Sequence, residues 1–249
     1  TSRNDLLVHG EQPVAPEAEE KYLNWIRQRA EHIPLQQLTG EQGFMGLTFS
    51  VNEHVLIPRQ DTEILVEEVL KELHDGMRVL DMCTGSGCIL LSLLHYSNDC
   101  EGLGVDLSAE ALEVAGRNVL KVLTPEKAEH AHFLQSDLFE KVEGKFEIIV
   151  SNPPYIASAE VEKLMPEVRD HEPRMALDGT EDGLYFYRRI IEEAGKHLVS
   201  SGMLFFEIGY DQGQAVSELM RTEGYCDVQV VQDYAGLDRV VLGTYCERN

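Results

Sequence analysis

Hydrophobic positions along the chain fall into three regimes. From residue 1 to about 39 they are sparse and helically spaced. Pro16-Glu17-Ala18-Glu19-Glu20 reads as a first helical turn with acids at the positive end of the dipole. Tyr22, Trp25 and Ile26 then form an apolar face, and Pro34 breaks the pattern. So short a piece holds no core of its own and is expected to pack on something else. Over 43–57 the period changes to two. Phe44, Leu47, Phe49 and Val51, then Val55-Leu56-Ile57 after the turn-prone Asn52-Glu53, predict a β-hairpin linking the helical piece to the main domain. Asp61 or Thr62 is placed to cap a helix through Ile64, Leu65, Val69 and Leu70.

The rest of the chain alternates short apolar strands with amphipathic helices. Strands are predicted at 78–82, 102–106, 131–135, 146–150 and 203–208. Helices are predicted at 88–96, after Ser108, at 184–198 and after Asp211. Strands separated by helices give an α/β fold with a parallel sheet covered on both faces. Two last strands, near 228–231 and 240–245, are joined by too short a loop for a helical crossover, so the final pair should be antiparallel. The domain boundaries that follow are 1–42 for the helical piece, 43–58 for the hairpin and 59–249 for the main domain.

Charge narrows the field. With 44 acidic and 21 basic residues the net charge is −23, which repels phosphate backbones and favours a basic partner over nucleic acid. Five cysteines without a C-x-x-C pair, and no histidine-cysteine cluster at zinc spacing, predict a reduced cytoplasmic protein without a metal. No apolar run reaches the roughly 18 residues of a membrane span. The chain opens on Thr1, so it is expected to start partway into a longer natural chain.

The unusual residues all fall at strand ends, where open α/β sheets bind their ligands. Cys83-Thr84-Gly85-Ser86-Gly87 lets a ligand approach the backbone beside a helix N-terminus, yet it lacks both the G-x-G-x-x-G string and a P-loop lysine. Asp106, at the end of the second strand of the alternation, stands where a ribose diol is bound in dinucleotide folds. Asp137 offers an acceptor to an adenine amino group, with Leu138 or Phe139 against the ring. Together these describe a nucleoside pocket suited to a cation better than to a pyrophosphate. After the fourth strand come Asn152-Pro153-Pro154-Tyr155. Two prolines stop any ladder and hold the backbone extended, leaving carbonyls between an amide and an aromatic face. Such a pocket suits a planar NH2 group that is to be held and acted upon. His171 and Glu172 are titratable, but a loop or surface role is expected for both.

These stretches resemble the class I S-adenosylmethionine-dependent methyltransferases, and among them the release factor glutamine methyltransferase (PrmC/HemK) family. Leu56-Ile57-Pro58-Arg59-Gln60-Asp61-Thr62-Glu63, Glu172-Pro173-Arg174-Met175-Ala176-Leu177 with Asp182-Gly183-Leu184, and Phe206-Glu207-Ile208-Gly209 carry the narrower likeness. The resemblance implies a Rossmann-like, seven-stranded, mostly parallel sheet whose last strand is antiparallel. It implies methylation of the glutamine amide nitrogen in the Gly-Gly-Gln motif of class I peptide chain release factors. S-adenosylmethionine would be the donor and S-adenosylhomocysteine the product. It further implies that Cys83 to Gly87, Asp106 and Leu138 hold the donor and that Asn152 to Tyr155 receive the glutamine. Asp137 and Asn152 are expected on the donor side as well, with Asn152, Pro153 and Tyr155 as the catalytic set. A monomer without direct nucleic-acid contact is expected. The chain departs from the family in carrying Cys83 where a glycine is usual, and in a shorter helical segment before Gly40. Adenine N6 methylation of DNA or RNA is the main rival, a binding module without turnover the second, and a dehydrogenase the weakest.

Overall fold

The computed structural model describes residues 3–246. The N-terminal piece forms α1 (Arg3–Val8), α2 (Pro16–Ala30) and α3 (Leu35–Thr39). Pro16 at the start and Glu17 and Glu19 in the first turn give α2 its beginning. Its expected apolar face is not buried: Tyr22 and Ile26 are exposed and Trp25 only half-buried. Polar bridges to the segment 167–171 tie the piece down instead. Arg29 Nη1 lies 2.9 Å from Glu167 Oε2, Gln37 Nε2 donates to His171 O at 2.7 Å, and His171 Nε2 lies 3.1 Å from Glu31 O.

A hairpin follows, but not where the alternation put it. β1 (Glu41–Phe44) and β2 (Leu47–Ser50) turn at Met45-Gly46, whose φ values are 51° and 70°. Two positive φ angles make the primed turn that matches strand twist, and Gly46 adopts one of them freely. Asn52 uses its Oδ1 to accept from His54 N at 3.0 Å, a local Asx turn in place of a hairpin turn. Residues 55–57 therefore run on without pairing, with Val55 and Ile57 buried. In α4 (Asp61–Glu72) the cap position is Gln60, so neither Asp61 nor Thr62 caps.

The remaining elements are β3 (Arg78–Met82), α5 (Cys88–Tyr96), β4 (Glu101–Asp106), α6 (Ala109–Val122), α7 (Pro125–Ala128), β5 (Ala131–Gln135) and β6 (Phe146–Ser151). After them come α8 (Ser158–Val161), α9 (Pro166–Arg169), α10 (Tyr185–His197), β7 (Leu198–Glu207), α11 (Gly213–Thr222), β8 (Tyr225–Gln232) and β9 (Asp238–Tyr245). Seven strands make one sheet in the order β5-β4-β3-β6-β7-β9-β8. β9 runs antiparallel to both of its neighbours, β7 and β8, and the other pairs of this sheet are parallel. Period-two burial splits β3: Val79 joins the core under α4 and α5, while Leu80 and Met82 join the core under α10 and α11. Strand order reverses between β3 and β6, so their carboxyl ends flank the crevice where such sheets bind ligands.

One expectation fails at the far edge. Cys226 and Cys246 form a disulfide between β8 and the residue after β9, with Cα atoms 6.0 Å apart. The pairing of Cys226 with Thr244 brings Cys246, two residues on, to the same edge. Cys83, Cys88 and Cys100 remain free thiols.

Candidate active site

Residues from both sides of the crevice line a cavity of about 210 Å³. On the β3/β4 side the loop after Met82 turns through left-handed backbone at Cys83, Gly85 and Gly87, with φ of 63°, 56° and 77°. Gly85 faces open space where a Cβ would stand, so a ligand can meet this backbone directly. The Asp106 carboxylate closes the loop from β4. Its Oδ2 accepts from Gly85 N and its Oδ1 from Ser108 N, each at 2.9 Å. Burial raises the pKa of Asp106 and these backbone donors oppose the rise. The Ser108 hydroxyl caps α6 by accepting from Ala111 N at 3.0 Å. Beneath the loop, Thr84 Oγ1 donates to buried Asp81 Oδ2 at 2.6 Å. Asn118 Nδ2 holds Ser86 O at 2.9 Å and Ser50 O at 3.0 Å, fixing the loop to the hairpin.

Asp137 also lines the cavity, but its Oδ1 is held at 2.9 Å by Arg189 Nη1 of α10. Leu138 lines it with a left-handed φ of 47°. Phe139 does not; it is buried and stacks on His197 with ring centres 4.9 Å apart. Among the lining residues Arg59 is the one Lys or Arg, and its guanidinium is spent on Glu172. A pocket with a carboxylate at the end of β4, an open glycine loop and Arg59, already paired with Glu172, as its one Lys or Arg fits a sulfonium nucleoside rather than a pyrophosphate.

On the β6 side, Asn152 and Pro154 line the cavity, whereas Pro153 is buried below it and Tyr155 is turned away. Tyr155 OH donates to Glu207 Oε1 at 3.2 Å, and Tyr155 O accepts from Gln212 Nε2 at 3.0 Å. The segment 178–183 packs against this backbone so closely that a Cβ at Gly183 would stand 2.4 Å from Tyr155 O. Three consecutive residues of α4 reach three different regions. Asp61 Oδ2 lies 3.5 Å from Arg239 Nη2 on β9, Thr62 Oγ1 accepts from Asn152 Nδ2 at 3.4 Å, and Glu63 Oε1 accepts from Met45 N at 2.7 Å.

Comparison with known proteins decides the family. A release factor glutamine methyltransferase of Clostridium acetobutylicum is 42% identical over 241 residues, 95% of this chain and 84% of that protein. One of Moorella thermoacetica is 44% identical, covering 97% of this chain and 85% of the relative. The chain belongs to the release factor glutamine methyltransferase family. The family model described as the methyltransferase small domain matches residues 59–168, and that of the PrmC N-terminal domain matches 1–40. A methyltransferase structure from Pyrococcus furiosus shares the fold, with a TM-score of 0.58 at 18% identity, over 82% of this chain and 91% of that one.

In this member of the release factor glutamine methyltransferases, Cys83, Thr84, Gly85, Ser86, Asp106, Asp137, Leu138 and Asn152 converge on one cavity. Gly87 does not line it: it stands at the N-cap of α5, where a Cβ would press on Ala115 and Leu91 at 3.2 Å. Glu172 lies in the loop after α9, one of the two roles expected of it, but not at the surface. It is buried, accepts from Ile57 N at 3.2 Å and pairs with Arg59. Its neighbours Pro173, Met175 and Ala176 line the cavity. Sequence reasoning gave no site role to Thr62, Arg189, Asn118 or Glu207. Glu207 carries a readable signal, as a lone acid in the apolar run Leu204-Phe205-Phe206-Glu207-Ile208.

Proposed function

We propose that this chain transfers a methyl group from S-adenosylmethionine to the side-chain amide nitrogen (N5) of the glutamine in the Gly-Gly-Gln motif of class I peptide chain release factors. S-adenosylhomocysteine is the product. The observation that carries the reading is that Asn152 and Pro154 open onto the cavity that Asp106 and residues 83–86 line from the other side. Bound there, S-adenosylmethionine supplies an electrophilic methyl group on a sulfonium centre. Asp106 would hold the ribose hydroxyls, the 83–86 backbone the nucleoside, and Asp137, held by Arg189, would offer an acceptor to the adenine amino group.

An amide nitrogen is a poor nucleophile because its lone pair is delocalised into the carbonyl. The chain's task is to hold that nitrogen with its lone pair exposed. Asn152 Oδ1 accepts from the incoming amide on the wall it shares with Pro154, while Pro153 and Tyr155, which do not line the cavity, hold the motif from behind. The same acceptor stabilises positive charge growing on nitrogen, and holding it in place supplies much of the rate. A protonated N-methyl amide is acidic enough to lose its proton to water, so no strong base is required. Among the described residues no helix is long and apolar enough to cross a membrane, which accords with action on release factors in the cytoplasm. We read the working form as a monomer that meets a protein and not a nucleic acid, in keeping with the net charge of −23.

Mass analysis of a Gly-Gly-Gln release factor after incubation with enzyme and donor should show a gain of one methyl on that glutamine. Asn152→Ala should keep donor binding and lose at least about a hundredfold in turnover. Methylation of an oligonucleotide instead of the protein would replace this reading with the adenine one.

A further inference from the structure

A primary amide is nearly symmetric in shape and opposite in chemistry at its two ends. Turned by 180°, an asparagine exchanges an acceptor oxygen for a donor NH2. An Asn152 that accepts from an incoming NH2 must keep Oδ1 toward the cavity, because the flipped form sets donors against donors. Something has to hold the Nδ2 end inside.

We propose that Glu207 and Thr62 form a relay that fixes the orientation of the Asn152 amide and so its acceptor role. The proposal rests on the reading of Asn152 as a substrate-amide acceptor and deepens it. Asn152 Nδ2 lies 3.4 Å from Thr62 Oγ1, and Thr62 is 2% exposed. A hydroxyl has one proton and two lone pairs, so it serves Nδ2 as an acceptor when its proton goes elsewhere. Glu207, also 2% exposed, provides that place at the carboxyl end of β7. Its Oε1 takes the Tyr155 hydroxyl at 3.2 Å. Its Oε2 is buried without a hydrogen-bond partner among the described residues. Burial raises the Glu207 pKa, and the Thr62 hydroxyl, the Arg239 charge and the Tyr155 hydroxyl oppose the rise. An ionised carboxylate can only accept. In that form Glu207, with Oε2 open, draws the Thr62 proton, turns a Thr62 lone pair toward Nδ2 and leaves Oδ1 facing the cavity. Each bond in the chain takes its direction from the one member that cannot donate. The same carboxylate holds Tyr155, so both side chains of the acceptor motif are set from one buried point.

Thr62 and Glu207 are positioning residues here, and kinetics can tell that from a packing role. Thr62→Val should lower kcat for release-factor methylation about ten- to hundredfold, with KM for the protein and Kd for S-adenosylmethionine within about threefold of wild type. Thr62→Ser, which restores the hydroxyl, should bring kcat back to within about threefold. Glu207→Gln should lower kcat, and the double variant with Thr62→Val should be no slower than Thr62→Val alone. A wild-type kcat in Thr62→Val, no rescue by serine, a loss carried by donor Kd, or multiplying losses in the double variant would each overturn the relay. If Thr62→Val does not fold, an unchanged kcat in Glu207→Gln overturns it as well. Full turnover in Thr62→Val beside an inactive Asn152→Ala removes the relay and spares the acceptor reading; turnover in Asn152→Ala removes both.

Discussion

Burial pushes the Asp81 carboxyl up to about 7, although Thr84 and Leu90 donate to it. An unfolded aspartate titrates near 3.9. Between about pH 4 and pH 7 the folded protein therefore keeps a proton that the unfolded chain has lost, so this residue's contribution to stability falls as pH rises through that window and levels off above it. Asp81→Asn keeps the shape and removes the titration. Urea unfolding at pH 5 and pH 8 should show the wild type losing roughly 3 kcal/mol more than the variant over that interval. Equal losses would mean that Asp81 is already ionised at pH 5. Cys83 poses a different residue-scale question. Its φ of 63° lies where glycine is at ease, and burial, with the nearby Asp106 and Asp81, pushes its thiol well up, so it is no ready nucleophile.

At the scale of elements, the Glu172–Arg59 pair joins the segment after α9 to the stretch between the hairpin and α4, and both flank the cavity. Burial raises the Glu172 pKa while Arg59 and Ile57 N oppose it. Glu172→Ala leaves Ile57 N and a half-exposed guanidinium without their acceptor, and should destabilise the fold by about 2–4 kcal/mol and weaken donor binding. Thermal melts and donor titration check both, and a melt unchanged within error would assign the pair to the surface. This pair also marks where sequence reading stops. Strand ends were legible because apolar runs stop at Asp106, Asp137 and Asn152, and a period of two or 3.6 needs no tertiary information. The hairpin turn was misplaced because Met45-Gly46 is chosen by φ, while Asn52-Glu53 has turn composition and makes a different turn. Thr62 has the composition of a cap, but its partner, Asn152, is 90 residues away and invisible to local pattern. The exposed face of α2 defeated periodicity for the opposite reason: the spacing is there, but what holds the piece is a set of polar bridges.

Taken as a whole, the molecule carries a charge of −23 on 249 residues, and the compact state concentrates that repulsion. The Debye length shortens from about 30 Å at 0.01 M salt to about 10 Å at 0.1 M, so added salt relieves the folded state first. Melting at pH 8 should rise by at least about 2 °C between 10 and 300 mM sodium chloride, since each kcal/mol moves a chain of this size by roughly 2–4 °C. A falling melting point would show that attractive pairs outweigh the net charge. The first turn of α4 bears on the whole molecule too, since Asp61, Thr62 and Glu63 bind β9, the acceptor motif and the hairpin in turn. A helix advances about 100° per residue, so no two of these three side chains point the same way. Adding or deleting one residue between Ser50 and Asp61 would rotate the start of the helix and release all three anchors together. The stretch between hairpin and helix is a spacer whose residue count sets the register of all three anchors at once.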